Sequence, residues 1–301
     1  MNWFTEPFHY EFMQRALLAS ILIGFTNGFL GVYVVLRRLS LVADALSHSL
    51  LPGLAIATIL VGLSPGGMLF GGLIAAVIVA VGGQLISRSS RLKDETAIAA
   101  LYIIAFAAGI ALIKYARVKV DLTHFLFGNI LGTANNDLWT SFWIGAVILI
   151  SLVVFHRPLL IVLFEPFVAR SLGIKVGWLQ TLIILLIVLA MISSLQAVGV
   201  LLSLGLLILP AATIYLLMDS YQFLTWGSGI LGMIGAVCGL WISYWVNIPS
   251  GTAIIIVLGF MFFMAYLFSP KYGLLTRYLP SSHLHDESLK RWGKNGDTHH
   301  H

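Results

Sequence analysis

The stretch LVADALSHSLLPGLAIATILVG (41–62) decides the fold class. It is apolar almost throughout and long enough to cross a hydrocarbon layer, which takes about 20 helical residues. Its only ionisable side chains are Asp44 and His48. Working outward, comparable apolar runs stand at about 13–36, 67–87, 95–115, 137–155, 178–197, 199–219, 223–246 and 252–269. The two runs within 178–219 are separated by almost nothing (QAVG), so they read either as two spans or as one broken helix. The expected fold is all-α, a polytopic membrane protein with eight or nine transmembrane helices over 1–270. Residues 271–301 are expected to form a polar, disordered cytoplasmic tail.

Composition agrees. The chain of 301 residues is 59% hydrophobic and 10% charged, where soluble domains are about 45–50% apolar and about 25% charged. Too little polar surface remains to wrap a water-soluble globule, which excludes a cytosolic enzyme, a disordered chain and a nucleic-acid module. The net charge of +5 reads as loop Lys and Arg on the cytoplasmic side rather than as a nucleic-acid footprint. A single cysteine, Cys238, excludes an internal disulfide and a thiolate metal cage. No basic segment precedes the first apolar run, so no cleaved signal peptide is expected. His299, His300 and His301 read as a natural His-rich end or as part of a purification tag.

With nine spans and the N-terminus outside, Arg37, Arg38, Arg88, Arg91, Lys93, Arg157, Arg170 and Lys175 fall on the cytoplasmic side together with the basic residues of the tail. Only Arg15, Lys114, Arg117 and Lys119 of the 17 basic residues fall outside. The positive-inside rule therefore sets the orientation. The outer segment 116–135 contains HFLFGNILG, apolar enough to dip back into the protein as a re-entrant element.

An ionisable group inside a membrane costs at least about 2.5–3.5 kcal/mol on the insertion scale, so each one needs a reason. The other acids and histidines lie in loops, polar ends or span edges. Asp44 and His48 stand at i and i+4, one above the other on a helix face. A carboxylate and an imidazole so placed can ligate one divalent transition metal, zinc, manganese or iron(II) rather than copper(I). They can equally form an internal hydrogen bond that locks two helices. Ser47 and Ser49 flank the pair and are placed to hold waters around it. Pro52 follows at once and frees a backbone carbonyl, as substrate-binding spans of transporters often require.

The stretch GVYVVLRRLSLVADALSHSLLPGLAIA (31–57) resembles the signature of permease subunits of ATP-binding cassette importers for zinc, manganese and iron(II). Three further stretches match in order: DLTHFLFGNILG (121–132), VGVLLSLGLLILPAATIYLL (198–217) and NIPSGTAIIIV (247–257). The resemblance covers about 11–270. It implies that Asp44 and His48 lie on the metal pathway, with Ala43 standing where the family often has glycine. It also implies a second permease chain, the same or a sister, two cytoplasmic ATP-binding subunits, an extracytoplasmic metal-binding protein, and a place in the inner (plasma) membrane. The transported ion is then manganese, zinc or iron(II), with the overall pattern slightly nearer the manganese branch, and no cofactor is implied. Each chain offers one Asp and one His. Two chains about a two-fold axis supply a four-ligand nitrogen and oxygen set.

The chain lacks a G-x-x-x-x-G-K-[ST] run, so it is expected to be a transport subunit and not an enzyme, with ATP hydrolysis on a separate polypeptide. FEPFVARSLGIKVGW (164–178) is the candidate docking element: Pro166 suits a first helical turn, Gly173 ends it, and Glu165 and Arg170 flank it. The resemblance places a coupling helix there; the residues alone also fit an ordinary cytoplasmic loop. Pro210 in LILPAATI is a hinge for alternating access or a tolerated kink. His124 is an outer metal relay or a loop histidine, and Asp94 and Glu95 are the acidic start of a helix. Two other readings stand beside this one. A permease for a metal chelate or cobalamin-type ligand has no need of the Asp–His pair. An ion-coupled secondary carrier would transport without ATP.

Overall fold

In a computed structural model the chain is described at residues 9–62, 64–115, 130–270 and 273–275. It runs through α1 (Glu11–Leu36), α2 (Ser40–His48), α3 (Leu50–Val61), α4 (Pro65–Ser89), α5 (Asp94–Tyr115), a 3-10 turn (Ile130–Gly132), α6 (Asn135–Val154), α7 (His156–Phe164), α8 (Pro166–Ser171), α9 (Val176–Leu217), α10 (Tyr221–Val246) and α11 (Ser250–Phe268). No strand occurs among the described residues. Eight helical segments are long and apolar enough to cross a membrane, with α2 and α3 together making one of them. Leu202–Leu217 is a further, shorter apolar helix. The expectation of an all-α polytopic membrane protein holds.

The ambiguity at 178–219 has a structural answer. Gly199 has φ 78° and ψ 168°, outside the helical region. Ser203 Oγ donates to Met191 Sδ at 3.3 Å, whereas a straight helix would set these residues about 18 Å apart. The chain therefore doubles back at Gly199, and α9 is a hairpin with arms Val176–Leu195 and Leu202–Leu217. Glycine suits that turn because an L side chain is strained at this φ. Pro210 lies within the returning arm and keeps helical dihedrals, so the sharp change of direction belongs to Gly199.

The basic residues mark one end of the bundle. There Arg88 donates to the Gly177 carbonyl at 2.8 Å and to Thr181 at 3.2 Å. There too the Tyr221 hydroxyl, at the start of α10, donates to the Tyr33 hydroxyl. Both arms of the hairpin start or finish at this end. At the other end the 3-10 turn buries Ile130 in a cluster with Met13, Ile23, Leu202, Leu240 and Ile254. The expected re-entrant element lies mostly at 116–129, outside the described residues, as do Asp121 and His124. Of the tail, only 273–275 are described.

α1 is the most buried span, and small residues let it be so. A Cβ at Gly28 would overlap the Ser228 carbonyl of α10, and one at Gly31 would overlap the Leu207 carbonyl of the hairpin. Small side chains give this close backbone approach in membranes, where apolarity alone does not hold helices together. Gly28→Val should destabilise the protein by about 1–3 kcal/mol, because backbone cannot yield as a side chain does. The measurement is the thermal midpoint of the detergent-solubilised protein. An unchanged midpoint contradicts the close approach. The buried Ser194 hydroxyl is satisfied on both sides: it donates to the Ala190 carbonyl at 2.8 Å and accepts from Asn27 Nδ2 of α1 at 2.9 Å.

Candidate metal pathway and docking face

Pro52 sets the local geometry of the second span. It has no N–H to give to the His48 carbonyl, and its ring crowds that position. The span accordingly divides into α2 and α3 at Ser49. α5 passes close to the break. A Cβ at Gly109 would stand 2.8 Å from the Pro52 nitrogen. Tyr102 and Phe106, two turns and one turn earlier on the same face of α5, lie against His48, with ring centroids 6.3 Å and 5.8 Å from the imidazole. These three α5 residues escape a reading of the sequence by charge. Their only signal there is the 102, 106, 109 spacing.

Asp44 and His48 do come together. His48 Nε2 stands 3.6 Å from Asp44 Oδ1. That is beyond the 2.7–3.2 Å range of an N–H···O bond. It is close to the separation of about 3.4 Å between two ligands each about 2.1 Å from a tetrahedral ion. The two side chains remain 50% and 32% exposed although the span is apolar. A half-exposed carboxylate at membrane depth belongs to a water-lined path or a protein interface rather than to lipid. Ser47 and Ser49 do not behave as expected. Both are buried, and their hydroxyls donate to the Asp44 and Leu46 carbonyls at 2.7 Å each. Those bonds use up their protons within the helix, so neither serine is free to hold a water beside the pair. Among the described residues no group of three or more His, Cys, Asp or Glu gathers. Asp44 and His48 are thus a pair of candidate ligands rather than a complete set among the described residues.

The segment 164–178 forms a separate small element. Pro166 opens α8, and Gly173 at φ +75° closes it. The Gly173 N–H goes to the Arg170 carbonyl at 3.0 Å and the Ile174 N–H to the Ala169 carbonyl at 2.9 Å. This pair of bonds is the glycine-dependent helix stop of the Schellman type. Glu165 and Arg170 are exposed, as are Phe164, Phe167, Val168 and Leu172. A short element at the basic end, showing apolar and charged side chains together, has the make-up of a protein-docking face. Arg37 lies just beside it. Burial pulls its guanidinium below the ordinary value, and the Asp94 carboxylate opposes that pull. An arginine stays charged throughout.

Several known proteins are similar along nearly the whole chain. A manganese transport system membrane protein, MntC, of Halalkalibacterium halodurans is 39% identical over 277 residues, 92% of this chain and 94% of that protein. A probable iron transport system membrane protein of Haemophilus influenzae is 34% identical over 277 residues, 92% of this chain and 97% of its own length. The solved structure of PsaBC from Streptococcus pneumoniae, in complex with Fab, superimposes with a TM-score of 0.79 at 32% identity, covering 92% of this chain and 98% of that one. The pattern that describes the ABC 3 transport family matches residues 9–269. An all-helical bundle, an ionisable pair inside its second span and these likenesses over nine-tenths of the chain together place the protein in the ABC 3 transport family.

Proposed function

We propose that this chain is the transmembrane permease subunit of an ATP-driven importer of divalent transition metal ions in the inner (plasma) membrane. Manganese is the first candidate ion, with zinc and iron(II) beside it. Two permease chains, the same or sisters, form the path. An extracytoplasmic binding protein delivers the ion, and two cytoplasmic ATP-binding subunits dock at α8. Residues 1–270 form the permease domain and 271–301 a cytoplasmic tail.

One observation carries the reading: Asp44 and His48 share a face inside an apolar span, spaced as metal ligands and half-exposed. Hydrolysis resides on other polypeptides in this scheme, because the chain has no phosphate-binding loop sequence. A relative named for manganese and another named for iron support a hard or borderline dication as cargo. Carboxylate and imidazole suit both ions.

The test is uptake of manganese, zinc and iron(II) by liposomes holding the chain with its ATP-binding subunits and its delivery protein. ATP-dependent manganese uptake is expected. Uptake without ATP, or of none of the three ions, contradicts the proposal.

A further inference from the structure

Arg37 caps α1 at the point where the chain turns into α2. Its Nη2 donates to the Val162 carbonyl of α7 at 3.0 Å. That carbonyl is open for a reason written in the sequence. In a continuing helix the N–H of residue 166 would fill it, but residue 166 is proline, which has no N–H and disfavours a helical residue before it, and the chain leaves the helix at Glu165 (φ −132°, ψ 67°). A buried carbonyl left without a donor is destabilising. The guanidinium removes that cost and gains a charge-assisted bond.

Three elements meet at this point. The chain leaving Arg37 enters α2, which carries Asp44 and His48. The carbonyl it holds lies in the last turn of α7, four residues before Pro166 opens α8. The Asp94 carboxylate that acts on Arg37 starts α5, whose Tyr102 and Phe106 lie against His48. Val162, Leu159 and Ala169 share one buried cluster with Val42, Ala43 and Leu46 of α2. Arg37 Nε is itself buried and without a partner, so one of its donors is free for a second acceptor in another conformation.

We infer that Arg37 is a positioning residue for transport, a strut that links α8 through the open Val162 carbonyl to the span bearing Asp44 and His48. It rests on the metal-import reading for its cargo but not for its geometry. A shift of α8 moves the Val162 carbonyl, and the charged bond carries that shift into the start of α2. Apolar packing alone can slip at such a joint, whereas a directed bond to one carbonyl fixes its register.

The test uses the complete transporter in liposomes with three variants. Arg37→Met removes the donors and keeps the length. Arg37→Lys keeps the charge with a single donor group. Pro166→Ala restores an N–H at 166 and lifts the bar on a helical Glu165, so that α7 can run on and that N–H can compete with an intact Arg37 for the Val162 carbonyl. The readouts are metal moved per ATP hydrolysed, and the ATP-dependent labelling rate of Leu41→Cys in a Cys238→Ser background. Leu41 is 74% exposed at the start of α2, so its labelling reports motion of α2 whatever the cargo.

Arg37→Met should lower metal moved per ATP by roughly tenfold or more, the weight of one charged hydrogen bond, with ATP hydrolysis and assembly kept. Arg37→Lys should recover part of the loss. Pro166→Ala should lower the ratio although Arg37 is present. In both Arg37→Met and Pro166→Ala the ATP-dependent change at Leu41→Cys should shrink. Wild-type ratios and labelling in these two variants overturn the inference. So does an Arg37→Met complex that fails to assemble while Pro166→Ala behaves as wild type, because Arg37 is then needed for folding alone. If the unaltered transporter moves none of the three ions, the cargo reading fails while the labelling still decides the strut.

Discussion

Asp44→Asn is expected to cut metal uptake by roughly a hundredfold or more per inserted molecule, beyond the 10–100-fold that loss of an outer hydrogen-bond partner costs a metal site. The substitution keeps the side-chain shape and removes the charge that a dication needs. His48→Ala removes the nitrogen ligand and should act as strongly. Both variants should insert, fold and assemble near normally, because neither side chain is fully buried. The opposite pattern belongs to a structural pair: loss of protein first, with transport per molecule unchanged. Uptake normalised to membrane-inserted protein decides between them. Transport at the wild-type rate per molecule in both variants assigns the pair to packing and sends the search for ligands elsewhere. The 3.6 Å separation already argues that breaking the pair costs little stability.

The second large effect concerns α8. Gly173→Val should reduce ATPase-coupled uptake by about tenfold, with the spans folded and the ion site intact. Open space surrounds Gly173, so no neighbour is hit. The strain is in the backbone: φ +75° costs an L residue roughly 1–2 kcal/mol, more when it is β-branched. The two bonds that stop α8 then loosen, and Phe167, Val168 and Arg170 lose their fixed presentation. The measurement is ATP hydrolysis stimulated by the delivery protein, set beside uptake in the same vesicles. Full coupling in Gly173→Val removes α8 from the docking account. Gly173→Asn, which tolerates a left-handed backbone, should behave nearly as wild type.

The spans were legible because each is an uninterrupted apolar run, and one charged pair inside such a run stands out against silence. Asp94 opens α5 as the acidic start of a helix, and Gly173 stops α8, because caps are written in single residues. The reversal at Gly199 was not legible as a hairpin. QAVG carries no charge or proline, and a glycine in an apolar run is as often a packing contact as a turn. The sequence also hid the behaviour of Ser47 and Ser49. A serine in a membrane helix has its own preceding carbonyls within reach, and that local bond outcompetes a distant water. In the sequence Arg37 stands out only as one positive charge on the cytoplasmic side. Its partner is a carbonyl 125 residues away, opened by a proline whose local signal is only that of a helix start. No local pattern joins the two.

The close approach of Gly24 and Gly28 to Gly232 and Ser228 has a consequence for synthesis. α1 emerges about 200 residues before the helix that covers its glycine face. At about 5–20 residues per second the interval is roughly 10–40 s. Through that time the groove on α1 faces lipid or a holding factor, and long-range closure of this kind is slow. A chain stopped before α10 should therefore be a ready target for membrane quality control, however well its individual helices insert.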